Sequence, residues 1–190
     1  METKLVIFDM FGVLVNIDWG NLEEFLKENE VKIKVDSFNK AFKETFQISS
    51  YGDIKEGIKV LAKRIGEEKN LKFKNAQLDF FKNFQERINV NEKSILLLRF
   101  LKKLGYKLAI LSNSFQIESE VFKNLGLTMI DKIFLSSETK ILKPNKDAFL
   151  NVCKYFNLTP QECLMVGDNY DKDIKPAEEL GMKTILWKEI

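Results

Sequence analysis

The chain has 190 residues, of which 45% are hydrophobic and 31% charged, a balance typical of a globular protein and not of a disordered one. Its net charge of +2 does not favour nucleic acid binding, and no apolar run is long enough to cross a membrane. The sequence contains no histidine, which excludes histidine-based triads and histidine-ligated zinc. No secretory signal pattern is present at the N-terminus, so we expect a cytoplasmic protein, a monomer or weak homodimer with no membrane or nucleic acid partner.

The N-terminal half opens with one strand and continues as helices. Residues 4–9 predict a buried strand, because an apolar run leads into Asp9 at the strand end. Between residues 21 and 89, phenylalanine, leucine and isoleucine recur at helical spacing, and one such stripe ends at Ile88. This pattern predicts a helical bundle without strands.

The C-terminal half alternates helices and strands. Helices are predicted over residues 93–104, 117–125, 145–156 and 172–180, and strands over residues 106–113, 131–137, 163–168 and 183–187. This alternation predicts an α/β fold, with a parallel sheet covered by helices on both faces. Cys153 and Cys163 fall within this pattern without metal-type spacing, so we expect both to be buried and reduced.

Polar side chains follow the predicted strands at the edge where α/β sheets bind ligands. They are Asp9, Ser112, Asn113 and Asp168, with Asp173 and Lys143 close by in the sequence. Clustered carboxylates repel one another, and Mg²⁺ relieves that repulsion while leaving coordination positions for a substrate phosphate. A carboxylate free to attack phosphorus could form an aspartyl-phosphate, while a hydroxyl and an amine stabilise the phosphate oxygens.

Four fragments in order, "FDMFGVLV", "LAILSNS", "LKPNKDAF" and "MVGDNYDKDI", make the chain resemble the haloacid dehalogenase superfamily. The resemblance implies a Rossmann-like core formed by residues 1–16 and 90–190, with a helical cap at residues 17–89. It implies that Asp9 is the nucleophile and that Ser112 and Lys143 hold the phosphoryl group.

The resemblance also implies a magnesium site and a phosphate cradle. Asp9, Asp168 and Asp173 would bind Mg²⁺, directly or through water, together with the backbone carbonyl of Phe11. Asn113 and the backbone from Met10 to Gly12 would help to hold the phosphate. The implied activity is a phosphatase acting on a small phosphorylated metabolite, whose identity the sequence leaves open.

Phe11 departs from the pattern of the family's phosphatases, most of which carry an aspartate general acid at this position. A positioned general acid contributes about 10²- to 10⁴-fold in rate. Three interpretations stay open: a phosphatase for good leaving groups, a 2-haloacid dehalogenase, and a weakly active or non-catalytic phosphate-binding relative. Trp19 could face the site from the cap, although helix packing explains that residue equally well.

Overall fold

The computed structural model describes residues 2–117 and 119–188. In chain order the strands are β1 Leu5–Phe8, β2 Val15–Ile17, β3 Ile88–Val90, β4 Lys107–Ser112, β5 Lys132–Leu135, β6 Cys163–Gly167 and β7 Lys183–Leu186. Five of them form one sheet in the order β5-β4-β1-β6-β7, and every neighbouring pair in it is parallel. The carboxyl ends of these strands therefore lie along one edge of the sheet.

Helices fill most of the remaining described chain. The α-helices are α1 Leu22–Glu28, α2 Val35–Phe42, α3 Ile54–Arg64, α4 Leu71–Lys82, α5 Glu92–Lys103, α6 Ser119–Asn124, α7 Ser136–Thr139, α8 Lys146–Phe156 and α9 Lys175–Glu179. Short π-helical segments occupy Lys43–Gln47 and Tyr170–Ile174, and 3₁₀ turns occupy Phe84–Arg87 and Pro160–Glu162. None of the described helices combines the length and the apolar character that crossing a bilayer requires.

Alternate side chains of β1 enter two different apolar cores. Val6 and Phe8 pack in the core that contains Leu98 of α5. Leu5 and Ile7 pack on the opposite face, in the core that contains Phe149 of α8. Successive strand residues point to opposite faces of a sheet, so a strand buried on both sides is apolar throughout. This arrangement confirms the predicted α/β fold with helices on both faces.

An aromatic cluster joins the helical segment to the sheet-containing part. The ring centroids of Phe81 and Phe84 lie 5.2 and 4.7 Å from that of Phe115, which follows β4. Phe46 packs on Phe81 at 4.8 Å. The phenylalanine stripes therefore form packed core. The division into a core and a cap at residues 16/17 and 89/90 stays a prediction.

Three predicted elements differ from the structure. The sequence predicts Ile88 in a helix, but this residue begins β3, because it pairs antiparallel with Ile17 of β2. It predicts Ser136 and Ser137 in a strand, but they begin α7. It predicts one helix over residues 172–180, yet a π-helical segment precedes α9, whose first turn contains Pro176. Proline has no N–H to donate and suits a helix start. Of the predicted helix at 117–125, residue 118 lies outside the described residues.

Candidate active site

Three carboxylates converge at the carboxyl edge of the sheet. Asp9 follows β1, Asp168 follows β6, and Asp173 lies in the π-helical segment after β6. One oxygen from each carboxylate lies within 4.8 Å of the others. Because β1 and β6 are parallel neighbours, their ends place Asp9 and Asp168 together. The structure thus brings together the three acids that the sequence predicts at this edge.

Lys143 lies between two of these acids. Its Nζ atom is 2.6 Å from Asp173 Oδ1 and 2.9 Å from Asp9 Oδ1, and its side chain is only 2% exposed. Burial alone would lower the pKa of Lys143, but the charges of Asp9 and Asp173 raise it above its ordinary value. Lys143 therefore stays a cation at neutral pH.

Asn113 holds the backbone of Lys143 with two hydrogen bonds. The Lys143 N–H donates to Asn113 Oδ1, and Asn113 Nδ2 donates to the Lys143 carbonyl, both at 2.8 Å. The resemblance implies a place for Asn113 at the phosphate, and the structure adds this contact with the backbone of Lys143. An amide after one strand and a lysine 30 residues later carry no local pattern that indicates the contact.

Asp9 has an unusual environment for a carboxylate. Burial raises the pKa of Asp9 to about 6, and repulsion from Asp173 adds to the rise. The positive charge of Lys143 acts in the opposite direction and limits it. The Met10 N–H donates to Asp9 Oδ1 at 2.7 Å, which directs the carboxylate group. The Met10 side chain itself is fully buried in the apolar core. Met10 can therefore contribute only its backbone to the site.

Two glycines let the acids approach the backbone closely. A Cβ atom on Gly12 would lie 2.1 Å from Asp168 Oδ2, and one on Gly167 would lie 2.3 Å from Asp173 Cβ. Gly12 also has a φ of +82°, in the left-handed region that favours glycine. Burial, followed by the charge of Asp173, raises the pKa of Asp168. The space beside Gly12 is therefore part of what positions Asp168.

Asp173 is fully buried, and both of its oxygens already have partners. Oδ1 faces Lys143, and Oδ2 accepts a hydrogen bond from the Asn169 N–H at 3.1 Å. By contrast, Asp168 is exposed. Of the two acids after β6, Asp168 is therefore the more available for direct contact with a ligand.

The hydroxyl of Ser112 has no hydrogen-bond partner among the described residues, although Ser112 is 1% exposed. Unpartnered buried polar groups are uncommon, and a ligand is one explanation for them. Ser112 ends β4, next to β1 in the sheet, so its hydroxyl lies at the same edge as Asp9. A phosphate oxygen would supply the missing partner.

The residues present fit a divalent metal ion. Three carboxylates carry three negative charges, and Lys143 compensates one of them, which leaves two. Carboxylate oxygens are the ligands that Mg²⁺ prefers, and the described acidic cluster contains no sulfur or nitrogen ligand. The cluster thus matches the charge and the ligand chemistry of Mg²⁺.

Phe11 lies where most phosphatases of the resembled family have their general acid, and its ring packs against an aromatic side chain. Its centroid is 6.0 Å from that of Trp19, at an angle of 68°. Trp19 in turn stacks on Phe80 of α4, also at 6.0 Å. The side chain at this position therefore belongs to an aromatic contact with the helical segment.

A family model described as haloacid dehalogenase-like hydrolase matches residues 3–181. Glyceraldehyde 3-phosphate phosphatase from Pyrococcus furiosus is 30% identical, with 97% of this chain and 80% of the relative covered. The enzyme of the same name from Pyrococcus abyssi is 29% identical, with coverages of 97% and 81%.

Solved structures share the fold. A HAD family enzyme from Bacteroides thetaiotaomicron, in complex with magnesium and inorganic phosphate, superposes with a TM-score of 0.70 at 24% identity, covering 98% of this chain and 94% of that one. A 2-haloacid dehalogenase from Pseudomonas syringae pv. Tomato superposes with a TM-score of 0.67 at 18% identity, covering 97% and 86%. At these identities the likeness concerns the fold alone. With its family model matched over almost the whole chain and its acids at the strand ends, this chain belongs to the haloacid dehalogenase-like hydrolases.

Proposed function

We propose that the protein is a Mg²⁺-dependent phosphatase that hydrolyses a small phosphorylated metabolite through an aspartyl-phosphate on Asp9. One observation carries the proposal: a buried lysine, an unpartnered buried hydroxyl and three carboxylates lie together at one sheet edge. Clustered acids would repel a phosphate, so its binding there requires the cationic Lys143 and a metal ion. The phosphatase relatives support the same activity.

In the first step, an oxygen of Asp9 attacks phosphorus and the bond to the leaving-group oxygen breaks. Lys143 and the Ser112 hydroxyl would donate hydrogen bonds to the phosphate oxygens, where negative charge must be stabilised. In the second step, water attacks phosphorus and the P–O bond to Asp9 breaks, which releases phosphate and restores the carboxylate. Asn113 would act through Lys143, whose backbone it holds.

Asp9, Asp168 and the backbone carbonyl of Phe11 would hold Mg²⁺ directly. Asp173 would act through water, since both of its oxygens have protein partners. A bound Mg²⁺ would neutralise the two negative charges that Lys143 leaves uncompensated and would lower the repulsion between Asp9 and a phosphate. The absence of an acidic side chain at Phe11 would not weaken this metal site, because the proposed ligand is the backbone carbonyl, which every residue has.

Phosphate release from a panel of phosphorylated metabolites, with Mg²⁺ and with excess chelator, tests the proposal. We expect release only with the metal. Chloride release from 2-chloropropionate that persists in chelator would instead establish a dehalogenase, which needs neither a metal nor a general acid. Activity in neither assay would favour the non-catalytic interpretation.

We also propose that residues 17–89 form a cap, that the protein is cytoplasmic, and that it is a monomer or a weak homodimer.

A further inference from the structure

A wall of aromatic side chains runs from the nucleophile loop into the helical segment. Phe11, two residues after Asp9, packs edge-on against Trp19, and Trp19 stacks on Phe80 with an interplanar angle of 19°. Both centroid distances are 6.0 Å, within the range of favourable aromatic pairs. The residue that stands in place of a general acid is thus the first member of an apolar surface.

The same Trp19 and Phe80 line a cavity of about 430 Å³ within the helical segment. Leu22, Phe25, Phe38 and Phe42 complete its apolar lining. This volume lies in the range of pockets that hold small organic molecules, and a lining of this kind favours flat, apolar groups. Trp19 is 50% exposed, so protein contacts cover only part of this residue.

Gln77 is one of four polar residues that line the cavity, the others being Asn39, Lys43 and Gln47. Gln77 is 5% exposed, and its side-chain carbonyl oxygen has no hydrogen-bond donor among the described residues. A buried acceptor without a donor is uncommon in proteins and costs stability. A ligand with an N–H or O–H group on its apolar body would supply the donor.

Phe11 restricts the leaving group independently of the cavity. Without a general acid, the departing oxygen must leave as an anion, so acidic hydroxyls are favoured over alcohols. A phenol, with a pKa of about 10 like that of tyrosine, meets this requirement far better than an aliphatic alcohol. The chemistry at Phe11 and the aromatic lining of the cavity therefore favour the same group, a planar aromatic ring bearing an acidic hydroxyl.

We infer that the substrate is an aryl phosphate whose ring system occupies this cavity and donates a hydrogen bond to Gln77. The inference rests on the proposed phosphatase function. Asp9 attacks phosphorus, the bond from phosphorus to the aryl oxygen breaks, and its electron pair leaves with the aryloxide, which takes a proton from solvent. Water then hydrolyses the aspartyl-phosphate, giving inorganic phosphate and the free carboxylate.

Steady-state kinetics with four groups of substrates tests the inference. They are 2-naphthyl phosphate, its 6- and 7-hydroxy derivatives, acetyl phosphate and glyceraldehyde 3-phosphate. Acetyl phosphate has an acidic leaving group but no ring, so it reports on Asp9 chemistry alone. We expect the naphthyl compounds to have the highest kcat/KM, and Phe80→Ala to lower that value about tenfold more for them than for acetyl phosphate. Phe100→Ala, which removes an exposed ring of α5, is the matched control.

Gln77→Leu separates the hydrogen bond from the packing. In the unmodified protein, at least one hydroxylated naphthyl phosphate should exceed the parent compound in kcat/KM by about three- to tenfold, and Gln77→Leu should abolish that difference. Calorimetry can measure the binding of 2-naphthol to the cavity without any turnover. We expect Phe80→Ala to weaken that binding.

Two outcomes would overturn the inference, and they are distinguishable. If acetyl phosphate is hydrolysed but the naphthyl compounds are not preferred over glyceraldehyde 3-phosphate, or Phe80→Ala affects all substrates equally, the substrate class is wrong and the phosphatase function stands. If no compound releases phosphate, both are wrong, whether or not 2-naphthol binds.

Discussion

Lys143 Nζ lies 2.6 Å from Asp173 Oδ1, and both side chains are almost completely buried, with exposed fractions of 2% and 0%. A buried ion pair gains little over apolar packing, but removing one partner leaves an uncompensated charge in a medium that solvates it poorly. The ion pair thus links the stability of the fold to the lysine that we propose binds phosphate.

Lys143→Met should therefore lower the free energy of unfolding by about 3–5 kcal/mol in addition to abolishing turnover. Lys146→Met is the matched control, because Lys146 pairs with Glu179 at a similar 2.9 Å while both side chains are nearly half exposed. That substitution should cost less than about 1 kcal/mol. Urea unfolding of both variants at neutral pH measures the two effects. Equal losses in the free energy of unfolding would show that burial of the Lys143 ion pair makes no difference to stability.

Asp168→Asn should weaken Mg²⁺ binding and turnover severely, because it removes the exposed acid of the cluster. The loss should exceed the roughly 10- to 100-fold effect of removing a group that only supports a ligand. Asp171→Asn, which changes an exposed acid in the π-helical segment that follows Asp168, is the control. Titration calorimetry with Mg²⁺ measures the affinity. Undiminished activity in excess chelator would favour the dehalogenase interpretation instead.

Asp9→Asn should abolish turnover, because an amide cannot form the phosphorylated intermediate, and it should stabilise the metal-free fold. The pKa of Asp9 rises from 3.8 to about 6 on folding, so the native state holds a proton that the unfolded chain has already lost. Stability is therefore complete below about pH 4 and falls as the pH rises through 6. Above that window the variant should be more stable by about 1–3 kcal/mol.

The gain should be small near pH 4 and disappear below about pH 3, where the wild-type carboxyl is protonated in both states. Thermal unfolding between pH 4 and 8 in chelator tests this, and a gain independent of pH would refute the assignment to Asp9. Retained turnover, once mass spectrometry has excluded deamidation, would show that another residue is the nucleophile.

Phe11→Asp addresses the missing general acid. In the unmodified protein the rate should fall steeply as the pKa of the leaving group rises, since nothing protonates the departing oxygen. A carboxylate that reaches that oxygen should flatten the dependence and restore part of the roughly 10²- to 10⁴-fold contribution of a general acid. Phe11→Ala controls for the lost contact with Trp19. A shallow dependence before any substitution would mean that another group already supplies the proton.

Gly12→Ala should displace Asp168, because the added methyl would lie 2.1 Å from its Oδ2 atom. We expect an unfolding cost of about 1–3 kcal/mol and a Mg²⁺ affinity lower by about tenfold or more. Gly20→Ala isolates the backbone contribution, since Gly20 also has a positive φ, of +68°, but meets nothing within 4 Å. Similar Mg²⁺ affinity in both variants would contradict the steric argument.

The sequence predicted the fold and the convergence of the acids because both follow from local patterns. Asp9 and Asp168 end apolar runs, and parallel strands bring such ends together without further information. Asn113 was harder to interpret, since its two hydrogen bonds to Lys143 depend on how separate loops meet. β3 was missed because a three-residue strand gives almost no periodicity, and its partner β2 lies about 70 residues away. The packing of Trp19 on Phe11 and Phe80 likewise depends on tertiary structure alone.

The antiparallel pairing of β2 with β3 has a consequence for how such proteins diversify. Asn16 and Asn89 are partners across this pair, so the chain leaves for the helical segment and returns from it at neighbouring points. The five strands of the parallel sheet are drawn entirely from residues up to Phe8 and from Lys107 onward. An exchange of the helices between β2 and β3 would therefore leave the sheet and its edge of acids intact. Under the proposed function, substrate choice and phosphoryl chemistry could then change at different rates, because different stretches of the gene would encode them.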